Sequence, residues 1–218
     1  MKRSTTEPRV LSVILQHLFQ IDKASQIKHN NFMGILRKIY NLLLDTVQTF
    51  LIVFAFFLVV YVFFLRPFQV SGNSMLPNFF DKQYILTNII GIKFEMPKLG
   101  DVIVFKAPPD PDKDYIKRVI GVPGDTILIE NGIVYVNGKI LDQKEFLPST
   151  TETHGGSFLK EGSTITVPPE SYFVMGDNRP GSSDSREWGY VPFKYLVGKS
   201  LYAYWPLDKA GLVTNPYE

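Results

Sequence analysis

The sequence predicts a mainly β domain, an antiparallel sheet with a smaller hairpin-and-loop insertion, preceded by one transmembrane helix. Three observations carry this. Residues 46–65, TVQTFLIVFAFFLVVYVFFL, hold no charge and are framed by Asp45 and Arg66. Beyond them the pattern breaks into short alternating runs of β-branched and aromatic residues. Between those runs stand Asn131-Gly132 and Asn137-Gly138, the dipeptides that tight hairpins favour because both central residues take a positive φ.

Taken in order, residues 1–45 form a basic and partly apolar N-terminal segment. The run VLSVILQHLF at 10–19 is too short to span a bilayer and is interrupted by Gln16 and His17, which points to an amphipathic helix on the membrane face. Residues 46–65 make a helix of about 30 Å at roughly 1.5 Å per residue, the thickness of the hydrocarbon layer. The run begins too far from the N-terminus, and is too long, to have the form of a cleaved secretory signal. It reads as a permanent anchor. Lys2, Arg3, Arg9, Lys23, Lys28, Arg37 and Lys38 precede it against Glu7, Asp22 and Asp45, while Arg66 follows, so the N-terminus is expected in the cytoplasm and residues 66–218 outside.

In that outer domain DVIVFK (101–106), YIKRVIG (115–121), TILIE (126–130), IVYV (133–136) and SYFVM (171–175) read as strands. The two Asn-Gly pairs make a meander of the central runs, and Pro123-Gly124 fits the middle of a type II turn. Residues 139–162 are richer in Thr, Gly and charge and read as loop, so 126–169 is expected to form a smaller inserted subdomain.

Composition narrows the chemistry. The 218 residues carry a formal net charge of +2, which asks for no nucleic-acid partner. The absence of cysteine removes disulfides and thiolate chemistry, and His17, His29 and His154 lack the spacing of a metal site. No metal or organic cofactor is implied. Hydroxyls, carboxylates and amines remain.

Ser74, in GNSMLP (72–77), is by default an ordinary loop serine. A serine hydroxyl is a poor nucleophile without a base, and the one histidine of the outer domain sits in a loop, so a lysine is the remaining candidate. Burial lowers a lysine pKa by up to about 3 to 5 units. Strand alternation puts Lys117 on the face shared by Tyr115 and Val119, an apolar setting, with Arg118 on the other face. On that strand alone, a stem lying over the sheet with an exposed head is the favoured reading of Lys117.

The combination says more. GNSMLP, then GDVIVF (100–105), YIKRVIGVPGD (115–125) and GDNRPGSSDSR (176–186), in that order after one apolar helix, resembles the type I signal peptidase family, whose members cut by a serine/lysine dyad. The resemblance implies a signal-peptidase-like β domain on the outer side of the bacterial cytoplasmic membrane that removes signal peptides from exported preproteins. It implies Ser74 as nucleophile, Lys117 as general base, and Ser182 as the hydroxyl orienting the lysine. Asp177, Asp184 and Arg186 would brace the site. Val70, Met75, Tyr115 and Ile116 would line shallow pockets for the small side chains of an AxA pattern. Exported preproteins and membrane lipids are the implied partners, with the export machinery as a further one. Where some members carry a serine as second oxyanion donor, this chain has Gly72, which leaves that donor unidentified; the backbone amide of Ser74 supplies the first.

The 66–73 linker spans at most about 3.3 to 3.6 Å per residue, so Ser74 lies within about 30 Å of the helix end. Phe79 and Phe80 suit either the membrane interface or the core. Two other readings stay open: a soluble self-cleaving repressor-type protease, which the anchor disfavours, and an anchored non-enzymatic β domain, in which Ser74 and Lys117 would be remote.

Overall fold

The structure is a computed structural model that describes residues 7–218. Helix α1 (Glu7–Phe64) runs without interruption across the boundary expected at 45/46. The reason is local: after Pro8 and before Pro67 the chain has no proline, and its one glycine there, Gly34, does not break a helix alone. Among the described residues it is the one helix long and apolar enough to cross a membrane, over Met33–Tyr61, a stretch that starts earlier than the charge-free run. Its apolar side chains there, Phe50 and Phe56 among them, are exposed. The amphipathic character expected for 10–19 concerns side chains outside the described set, as do His17 and His29; residues 1–6 lie outside it altogether.

The second compact unit is the β domain, mainly antiparallel sheet as expected. Its strands are β1 (Leu65–Gln69), β2 (Tyr84–Asn88), β3 (Val102–Ala107), β4 (Asp110–Gly121), β5 (Thr126–Glu130), β6 (Ile133–Val136), β7 (Lys139–Ile140), β8 (Thr164–Thr166), β9 (Ser171–Met175), β10 (Val191–Pro192), β11 (Leu196–Trp205) and β12 (Gly211–Leu212), with a short helix α2 (Ser185–Trp188) before β10. The large sheet runs β1-β2-β11-β3-β4-β9-β10, with β12 added on β11. A four-stranded sheet, β7-β6-β5-β8, is formed by the chain between β4 and β9.

The turns follow their residues. Asn131 and Gly132 have φ of 51° and 78°, Asn137 and Gly138 of 53° and 74°, so both hairpins of the small sheet have the doubly left-handed turn that Asn-Gly permits. At Pro123-Gly124 the Asp125 N–H donates to Val122 O at 3.0 Å with Gly124 at φ +91°, the type II geometry. Among the described residues seven strands, β1, β2, β7, β8, β10, β11 and β12, lie outside the runs read from the sequence. β7 falls in the stretch read as loop, where two residues paired with β6 are too short to show a period. β1, LRPFQ, contains proline and arginine and is an edge strand, where neither is penalised. β2 and β11 pair through two register shifts that blur the alternation of β11.

The two sheets share one core. Ile120, Phe173 and Met175 of the large sheet pack with Ile127, Ile129, Val134 and Val136 of the small one, closed by Leu141, Leu159 and Val167. A second cluster, Val70, Met75, Phe79, Ile85, Val102 and Val104, underlies the turn that carries Ser74.

Candidate active site

Ser74 opens a tight turn held by Leu76 N–H to Asn73 O (3.3 Å) and by Asn78 and Phe79 N–H to Met75 O (3.0 and 2.9 Å). Met75 and Phe79 are sunk in the core below it, which pins the turn, while Phe80 is exposed. Lys117 arrives from β4, opposite Ile103 of β3, with a residue exposure of 4 %. Its Nζ donates to Ser74 Oγ at 2.7 Å and to Ile116 O at 3.1 Å, and sits 5.3 Å from the centre of the Tyr115 ring. The two groups that a non-enzymatic domain would keep apart are therefore within hydrogen-bond reach. Burial pushes the Lys117 amine down from 10.5 to about 8, against a smaller opposing pull from Asp184 and Asp177.

Arg118, one residue on, faces the other way, as strand alternation requires, and meets Asp177. Arg118 Nε donates to Asp177 Oδ1 at 2.9 Å and Nη2 to Oδ2 at 2.8 Å, a buried two-bond ion pair. Asn78 Nδ2, from the serine's own turn, donates to the same Oδ2 (2.8 Å) and to Phe146 O (2.7 Å), and the Phe146 ring lies 4.3 Å under the Arg118 guanidinium. Asn178 completes the link: its N–H donates to Ser74 O and its Nδ2 to Asn73 O, each at 3.0 Å. Arg118, Asn78, Asn178 and Phe146 were not assigned to the site from the sequence; Arg118 and Asn178 lie inside motifs that were, and strand alternation gave the face of Arg118 without its burial.

Asp184 and Arg186 hold the 176–186 loop from its far end. Asp184 accepts from Gly176 N–H (3.0 Å) and caps α2, and Arg186 donates to both its oxygens at 2.8 Å and to Arg179 O at 2.6 Å. Ser182 Oγ is buried beside Gly176 and makes no hydrogen bond, so the contact to Lys117 implied for it is not among its contacts. Gly176 leaves no room: a Cβ there would collide with Ser182 Oγ and the Ser74 carbonyl. Gly176→Ala is expected to lower kcat/KM by at least about tenfold and to cost about 1–3 kcal/mol of stability, read by cleavage kinetics and thermal melting.

Ser74 and Lys117 help line a cavity of ≈ 460 Å³ together with Val70, Tyr115, Ile116, Phe68, Ile85 and Val104. Ser71, Gln69 and Ser183 also line it, whereas Met75 lies fully buried beneath and is not part of the lining. Two unpaired strand edges flank it. Among the described residues β1 is the end of its sheet, and β4 pairs with β9 only from Arg118 to Gly121, which leaves that side of residues 113–117 without a neighbouring strand.

Comparison with known proteins adds an independent finding. The family model for signal peptidase, peptidase S26, matches residues 43–205. The chain is 33% identical over 185 residues to signal peptidase IB of Staphylococcus aureus, covering 80% of this chain and 95% of that one. It is 38% identical over 148 residues to signal peptidase I of Bacillus caldolyticus, covering 65% and 80%. A crystal structure of a signal peptidase I from Enterococcus faecalis aligns at 30% identity over 48% of this chain and 97% of that one, with a TM-score of 0.39.

Proposed function

The chain belongs to the signal peptidase family, peptidase S26, and from that premise we propose that it is a membrane-anchored endopeptidase cutting exported preproteins after small residues through an acyl-enzyme on Ser74. Cleavage of signal peptides by a serine peptidase is the activity of the family. The finer reading rests on one observation, the 2.7 Å between Lys117 Nζ and Ser74 Oγ in a buried setting where both line the cavity.

Neutral Lys117 takes the Ser74 proton as Oγ attacks the carbonyl carbon after the small residue. The oxyanion forms against the Ser74 N–H. Collapse breaks the peptide bond, and the Lys117 ammonium returns its proton to the departing amine of the mature protein. What remains is an ester between Ser74 and the signal peptide. Lys117, neutral again, takes a proton from water as the water oxygen attacks the ester; the C–Oγ bond breaks, the ammonium returns that proton to Ser74 Oγ, and the signal peptide leaves as a carboxylic acid. An extended substrate hydrogen-bonds between the free edges of β1 and β4, with side chains alternating into the cavity. The AxA preference in this reading comes from the family resemblance, with Val70, Tyr115 and Ile116 as the cavity residues that the substrate side chains would meet.

In this reading residues 1–45 lie in the cytoplasm, 46–65 span the bacterial cytoplasmic membrane, and 66–218 act on its outer side with 126–169 as a subdomain. The substrate is presented from the lipid by its own apolar segment, and the export machinery is the source of preproteins.

The test is cleavage of a preprotein with alanine before the scissile bond, with the product identified by N-terminal sequencing. Cleavage directly after the alanine, abolished when that alanine becomes leucine, is the expected result. Absence of cleavage, or indifference to leucine, would sink the reading.

A further inference from the structure

The arm 71–73, which delivers the chain to Ser74, is exposed at every residue. Its surroundings are anchored. Val70 N–H donates to Gln83 O and Lys82 N–H to Val70 O, both at 2.8 Å, and Met75 and Phe79 are buried on the far side. At its far end Asn73 O accepts from Leu76 N–H (3.3 Å) and Asn178 Nδ2 (3.0 Å), while at Gly72 nothing packs. A Cβ added at Gly72 would meet no atom within 4 Å, and the φ of +86° there is a conformation that other residues rarely adopt. What holds Gly72 is one hydrogen bond, from its N–H to Asp81 Oδ1 at 2.8 Å. The acceptor is a carboxylate, which makes the bond shorter and stronger than one to a neutral oxygen. It closes the loop 72–81 across its base with Ser74 inside.

We propose that Asp81 is a positioning residue for the nucleophile: by accepting the Gly72 N–H it fixes the exposed arm, and through the arm the angle at which Ser74 Oγ and the Ser74 N–H meet the substrate carbonyl. Asp81 acts at a distance from the chemistry, since it is not among the residues that line the substrate cavity. The same bond commits the Gly72 N–H to a carboxylate, so the second oxyanion donor left unassigned by the glycine is not that backbone amide. The proposal rests on the reading of Ser74 as the nucleophile.

The experiment compares the full-length protein in detergent with Asp81→Ala and Asp81→Asn. It measures kcat and KM on a preprotein, the melting temperature, and affinity for a peptide aldehyde that forms a tetrahedral adduct. Asp81→Ala is expected to lower kcat by at least about tenfold, with KM within about twofold, because small misplacements of a reacting atom are costly. Aldehyde affinity should fall in step with kcat. Asp81→Asn, whose amide oxygen still accepts the N–H, should restore kcat to within about threefold of wild type. Wild-type kcat in Asp81→Ala overturns the proposal. So does equal impairment of both variants with a matching loss of melting temperature, which would make Asp81 a folding residue. Failure of the wild-type protein to cleave would bring down the nucleophile reading itself, so the two failures are told apart.

Discussion

Lys117→Met and Ser74→Ala are each expected to lower kcat for preprotein cleavage by at least about 10³-fold, since a dyad works as a unit and loses most of its power when either partner goes. The lysine variant carries a second, opposite expectation: it should be more stable than wild type. Moving the amine from 10.5 to about 8 on folding corresponds to roughly 3 kcal/mol paid to bury it. Below pH 8 the amine is charged in both folded and unfolded chains, and the whole cost is present. Between pH 8 and the unfolded value the unfolded chain binds the proton and the folded one does not, so stability rises with pH across that window. Methionine has a similar length and no charge, so the gain from Lys117→Met should be largest near pH 7 and vanish above about pH 10. Activity in the wild type moves with the same ionisation. At pH 7 about a tenth of the molecules hold a neutral amine, so kcat/KM should climb about tenfold per pH unit below 8 and level off above it. A flat profile from acid to alkaline pH would remove lysine from the role of base, as would a Lys117→Met variant that cleaves at the wild-type rate.

Asp177→Ala is expected to cost about 3–5 kcal/mol of stability, measured by denaturant unfolding in detergent. Arg118 and Asp177 have side-chain exposures of 4% and 1%, so removing the carboxylate leaves a buried guanidinium without its counter-charge. Asn78 loses an acceptor at the same time, which loosens the turn of Ser74 from the 176–186 loop. Activity should therefore fall along with stability. The surface pair of Lys106 and Asp114 offers the contrast, since its ions at 3.0 Å are 43% and 25% exposed, and Asp114→Ala should change stability by no more than about 1 kcal/mol. A loss in Asp177→Ala as small as that would mean that water or another group takes over the carboxylate's role.

Much of this arrangement was legible in the sequence where local physics dominates. The centre of the small sheet followed from two Asn-Gly pairs and two alternating runs, and TILIE, IVYV and, in the large sheet, SYFVM begin and end where the alternation does. The face of Lys117 followed from the period of a strand. What escaped depends on partners distant in the chain. β1 has no pattern of its own that outweighs its proline and arginine, β2 is a run of five residues with no turn signal beside it, and they become strands because each finds a neighbour. The reach of β4 back to Asp110 was hidden by its run of charge, which is tolerated because the ribbon with β3 there is solvated. Of the residues that surround the serine, the motif blocks exposed those they contain, Lys117, Asp177 and Asp184, and left out Asn78, one position beyond GNSMLP. Asn78 and Phe146 stand 68 positions apart and are joined by a side chain and a carbonyl, a contact with no local signature.

Phe146 also bears on how such a chain tolerates change. The stretch from β7 to β8 is mostly loop, and loop length is cheap to vary in free-energy terms. Yet it hands one carbonyl to the serine's turn and lays one ring under the arginine behind it. Insertions and deletions on either side of that point leave both intact, while a shift of register by a single residue forfeits both together. Mutational drift across this segment is thus tethered at separated points, Leu141, Leu159 and Thr153 among them, of which Phe146 is the one beside the serine's turn.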